Sequence, residues 1–76
     1  MQLEALRAAI EGNAAAVADA AALLADLRRL TAELAEPAPE PSRVATLLRR
    51  LRAGAGEVAE LAAGLASIER VIAALL

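Results

Sequence analysis

The chain contains no cysteine, no histidine and no aromatic residue. Lacking cysteine, it has no disulfides and no thiolate metal ligands, and its redox compartment leaves no mark on the sequence. Lacking histidine, it has no imidazole to hold a metal or move protons near neutral pH. The missing Trp, Tyr and Phe are the rings on which single-stranded nucleic acid stacks. Long apolar runs are missing too. The most apolar stretch, Val58 to Leu76, is interrupted by Glu60, Glu69 and Arg70, whereas a membrane span needs about 20 nearly uninterrupted apolar residues. Gln2 and Glu4 give no positive n-region, so no signal peptide is expected and the expected location is cytoplasmic.

What is present is narrow in vocabulary. Alanine fills 23 of the 76 positions and leucine 14, and all eight basic residues are arginine. That usage fits a GC-rich, bacterial genome, although a designed alanine/leucine helix would look similar. At this length one domain, residues 1–76, is expected. A chain so short has difficulty burying enough apolar surface without disulfides, metal or a partner.

Only Glu36-Pro37-Ala38-Pro39-Glu40-Pro41 punctuates strongly. Proline lacks the backbone donor and disfavours helix in the residue before it. The segment predicts a first helix over 2–35, a turn over 36–41 and a second helix over 42–75. Pro41 suits the first helical turn, with Glu40 or Ser42 near its cap.

Both halves carry a heptad seam. Leu3, Leu6, Ile10, Asn13, Val17, Ala20, Leu24, Leu27, Thr31 and Leu34 alternate at spacings of three and four. Val44, Leu47, Leu51, Gly54, Val58, Leu61, Leu65, Ile68, Ile72 and Leu75 do the same. Taken forwards and backwards, the paired residue numbers all sum to 78, the arithmetic of an antiparallel, coiled-coil-like two-helix hairpin. Gly12-Asn13 and Ala53-Gly54-Ala55-Gly56 are weaker interruptions. Because the heptad phase runs through both, continuous helices are expected, with a kink near Gly54 to Gly56 as the departure to look for. In this register Gly54 faces Leu24 and lets the two helices approach closely.

A third apolar column accompanies each seam. Ala9, Ala16, Leu23 and Leu30 form it on the first helix, and Leu48, Ala55, Ala62 and Leu76 on the second. Stripes that wide serve a bundle, since a lone hairpin would leave much of Leu23, Leu30, Leu48 and Leu76 in water. The fold class is therefore all-α, a hairpin completing a four-helix bundle about 50 Å long by homodimerisation. Charge favours an antiparallel dimer: the turn half, 22–56, has six arginines against four carboxylates, and the open half two against six.

Asn13 is the one amide in the seam, and it either sets register against its counterpart in another chain or caps a bend beside Gly12. Thr31 is expected to return its hydroxyl to a carbonyl one turn back. Arg28, Arg29, Arg49, Arg50 and Arg52 are the candidates for anion contact. The net charge of −2 and interleaved carboxylates favour a solvated, ion-paired face instead. Asp19, Asp26 and Glu33 line an outer stripe with no convergent partner, and the glycines lack the context of a phosphate loop. No catalytic residue, metal, cofactor or nucleic acid is expected.

From Leu3-Glu4-Ala5-Leu6-Arg7 through the Pro-rich turn, Arg43 to Arg52 and the Ala/Gly/Val-rich tail, the chain resembles short helical-hairpin modules of actinobacteria. These occur as small proteins of unknown function or at the ends of signalling and conflict (defence) proteins. In length and shape it is also similar to secreted hairpin proteins of the same bacteria, but it lacks their Trp-x-Gly turn. The expected function is a non-enzymatic interaction and oligomerisation module, its interface built from Leu23, Leu30, Leu48, Leu76 and Asn13. The alternatives are binding of nucleic acid or anionic lipid by the arginines, and a subunit of a hetero-complex.

Overall fold

Local capping chemistry divides the chain more finely than heptad phase does. The computed structural model describes residues 2–75, which form four α-helices and no strand. Helix α1 spans Gln2–Gly12, with Glu4 in its first turn. Its end is marked by the Asn13 N–H, which donates to the carbonyls of Ala9 and Ile10. A single 3-10 turn, Ala14–Ala16, follows, and Val17 is extended at φ −110°, ψ 156°. Asp19 then starts a new helix by accepting the Ala22 N–H at 3.0 Å on its carboxylate. Helix α2 runs over Ala20–Leu34.

The proline segment separates α2 from α3, Pro41–Ala55, with Glu40 at the cap and Pro41 in the first turn. Glu33 reaches across to accept the Glu40 N–H at 2.8 Å, so a side chain of α2 fixes where α3 begins. Gly56 ends α3 at φ 59°, ψ −129°, a conformation that only glycine adopts without strain. After Glu57 and Val58, helix α4 covers Ala59–Leu75.

The expected continuous helices over 2–35 and 42–75 are thus each broken once, at 13–19 and at 56–58. The cause lies in residues that the heptad pattern cannot weigh. Asn and Asp offer the backbone side-chain alternatives to helical bonds, and Gly56 supplies a positive φ. Folding back at both breaks sets α1 beside α2 and α4, while α3 lies beside α2 and α4. The four helices close a ring within one chain.

The principal extents are 35 × 19 × 19 Å, well short of the expected 50 Å hairpin. The radius of gyration of 11.5 Å compares with about 11.4 Å for a compact domain of this length. Inside the ring lie Leu6 and Ile10 of α1, Leu23, Leu27 and Leu30 of α2, and Val44, Leu47, Leu51 and Ala55 of α3. Leu61, Leu65, Ile68 and Ile72 of α4 complete the core.

Register splits between the inner and outer pairs. Across α2 and α3, Asp26 meets Arg50 and Glu33 meets Arg43, both pairs summing to 76. A Cβ on Gly54 would lie 2.4 Å from Leu23, so Gly54 packs on Leu23 and not on Leu24 as the seam predicts. Across α1 and α4 the offset is larger. Asn13 meets Glu60 and Leu6 meets Gly64, pairs summing to 73 and 70. The two reversals are the reason: centred near residues 16 and 57, they fall about three short of the inner register, and folding back doubles that shortfall to about six. Helix α1 has slid along α4 by roughly one heptad, which keeps apolar columns opposed.

Candidate functional site

The residues expected to form an oligomer interface fall in different places. Leu23 and Leu30 are 3% and 0% exposed within a single chain. The premise that one chain would leave them in water does not hold, because folding at 13–19 and 56–58 supplies intramolecular cover. Leu48 is half-buried against the same core. Leu76 lies outside the described residues.

Asn13 sits at the end of α1, in the local-bend role that was the alternative to register-setting. Its amide donates to the Ala9 carbonyl at 2.8 Å and to a Glu60 carboxylate oxygen at 2.9 Å. It therefore ties the first break to α4. Thr31 donates its hydroxyl to the Leu27 carbonyl at 2.9 Å, the back-bond expected of a mid-helix threonine.

The arginines do not make one surface. Arg29 and Arg50 converge on Asp26 between α2 and α3, with Arg29 Nη1 at 3.0 Å and Arg50 Nε at 3.4 Å. Arg43 stands 3.5 Å from Glu33 in the same seam. Arg52 points the other way and pairs with Glu69 of α4. Arg28 lines the shallow groove between α1 and α2 with Glu4, Arg7 and Glu11. Arg49 is exposed on α3. Spread over several faces and mostly facing carboxylates, these cations offer no concentrated anion site. Arg7, hydrogen-bonded to Glu4 and flanked by Glu11, has its pKa held above the ordinary guanidinium value.

Asp26 is the site residue that the sequence misplaces. The outer stripe to which it was assigned is a helix–helix seam, and Asp26 is 5% exposed. Both its oxygens face guanidinium groups, which is how a nearly buried carboxylate is tolerated. The signal was present in the arithmetic: 26 and 50 nearly satisfy the seam register. Among the described residues no buried side-chain polar atom lacks a partner. No group of three metal-ligating side chains occurs among them either. Asp26 is thus engaged by Arg29 and Arg50 on its two oxygens.

What the described surface does offer is apolar. Val71 and Leu75, on the last turns of α4, are 46% and 74% exposed. They are uncovered because α1, displaced along α4, ends short of them. The adjoining α1–α4 groove is lined by Ala5, Leu6, Ala9, Gly64 and Ser67, with Glu60 at its rim. Among the described residues no helix is long and apolar enough to cross a membrane. Comparison with known proteins finds no matching family model, no matching curated protein and no matching solved structure.

Proposed function

We propose that this protein is a non-enzymatic protein–protein interaction module that self-associates through apolar helix surface, serving as an adaptor in the cytoplasm of a bacterium. The actinobacterial resemblance supports a setting in signalling or defence. The observation that carries the reading is the uncovered end of α4, where Val71 and Leu75 stand in water. Exposed large side chains of this kind, aligned on one helix and continued by a groove of small residues, mark a surface that gains by being covered. Leu23 and Leu30, buried within the single chain, are not part of that exposed surface.

Light scattering over a range of protein concentrations tests the reading. Wild type should show a mass that rises from one chain toward two, and Val71→Glu with Leu75→Glu should hold it at one. Burying one such side chain is worth roughly 1.5–3 kcal/mol, and a symmetric dimer doubles each change. A wild type that stays monomeric at every concentration refutes the proposal.

A further inference from the structure

The seam assigns Leu75 to a position opposite Leu3, and Val17 to one opposite Leu61. In the folded bundle Leu75 is 74% exposed, while Leu3 and Val17 are only half-buried. A slide of one heptad restores them. Because a heptad returns a helix to the same face, α1 and α4 can meet in either register without exposing a polar column to the core.

Asn13, bonded to the Ala9 carbonyl and to Glu60, ties the first break to α4, and few other contacts hold either link. Neither 13–19 nor 56–58 contains a buried residue, and none of these positions is proline. One side-chain cap, from Asp19 to the Ala22 N–H, starts α2 anew. One positive φ, at Gly56, stops α3. Alanine fills four of the seven positions of the first link, and the heptad phase continues through both links unbroken.

We infer that the chain has a second, open state in which both links become helical, α1 running into α2 and α3 into α4. Two open chains then exchange outer halves, so that α1 and α4 of each copy seat on α2 and α3 of the other. This deepens the self-association reading by naming the partner as a second copy and the exchange as the route. The second copy is the matching occupant because opening bares Leu6, Ile10, Leu61 and Leu65 together with Leu23 and Leu51, which now pack in one layer. An identical chain presents the same two complementary faces. Charge agrees: the outer half carries two arginines against six carboxylates and the inner half six against four. The Arg52–Glu69 pair between α3 and α4 would re-form between copies.

Three substitutions separate the two states. Asp19→Ala removes the cap of α2, and Gly56→Ala puts a side chain where φ is 59°. In the open state both become ordinary mid-helix alanines. Since each dimer contains two copies, the double variant should raise the dimer association constant about a hundredfold or more. Ala18→Pro acts in the opposite sense. It follows the extended Val17 on an exposed link, a setting that accepts proline, but it cannot lie inside a continuous helix. It should keep wild-type helicity and lose the dimer.

Light scattering gives the mass, and small-angle X-ray scattering distinguishes a chain of 11.5 Å radius of gyration from a dimer about 50 Å long. A double variant that keeps its helix and stays monomeric overturns the exchange. So does a dimer that Ala18→Pro leaves at full strength, an outcome that retains self-association through the α4 surface. If the double variant loses its helices, wild type refolded at high concentration decides. A slowly dissociating dimer that Ala18→Pro fails to form supports the exchange, and monomer alone overturns it. Wild type that is monomeric at every concentration, beside a dimeric double variant, refutes the self-association reading and keeps the exchange.

Discussion

Replacing Gly54 with alanine sets two effects of known size against each other. Alanine in a helix interior is favoured over glycine by about 1 kcal/mol, so propensity alone predicts stabilisation. The structure predicts the reverse. A Cβ at Gly54 would lie 2.4 Å from Leu23 Cδ2 and 3.0 Å from its Cγ, inside any normal contact. A Leu side chain on the surface would simply swing away. Leu23 cannot, because it shares an interior layer with Leu6, Ile10, Leu51, Leu61 and Leu65 and is almost wholly buried. Overpacking of this kind typically costs about 1–3 kcal/mol. The contact therefore outweighs the propensity gain, leaving a net loss of up to about 2 kcal/mol. In a domain of this size each kcal/mol moves Tm by about 4–8 °C.

Gly12→Ala is the control, since nothing lies within 4 Å of a Cβ there and φ is not positive. It should be neutral or raise stability by up to about 1 kcal/mol. The assay is thermal and urea unfolding followed by helical circular dichroism, at concentrations where the chain is monomeric. Adding Leu23→Ala to Gly54→Ala should remove the penalty of the second substitution, so that the pair costs less than the sum of its parts. If Gly54→Ala is as benign as Gly12→Ala, the close approach of α2 and α3 is refuted.

Leu30→Ala and Leu65→Ala should each destabilise by about 2–5 kcal/mol, because both are buried in one chain. Arg28→Ala, on an exposed flank, should change stability by no more than about 0.5 kcal/mol, and equal effects in the same urea titration would overturn the assignment of faces. Arg29→Ala combined with Arg50→Ala should cost about 1–3 kcal/mol by leaving the nearly buried Asp26 carboxylate unpaired, whereas either substitution alone, with side chains largely in solvent and the other arginine still in place, should cost under about 1 kcal/mol. A double arginine removal as mild as either single one would show that the Asp26 seam contributes nothing.

All-helical architecture, the proline turn and most core positions were legible because each rests on a strong local rule. The seam puts Leu6, Ile10, Leu27, Leu51, Leu61 and Leu65 inside, and inside is where they lie. The fold-back was not legible, and the reason is symmetry. A helix that continues and a helix that reverses and slides by one heptad satisfy the same apolar pattern, so phase alone cannot choose between them. The choice fell to Asp19 and Gly56, two residues worth about 1 kcal/mol each by cap and conformation. Such contributions are small beside a core, but the fold-back that they start also covers Leu23 and Leu30 within one chain. The burial of Leu23 and Leu30 within one chain follows from the same symmetry. Leu23 and Leu30 need a second layer of helices, which the sequence demands without saying whose chain supplies it. Once α1 and α4 of the same chain supply it, the unmet demand moves to the end of α4, to Val71 and Leu75.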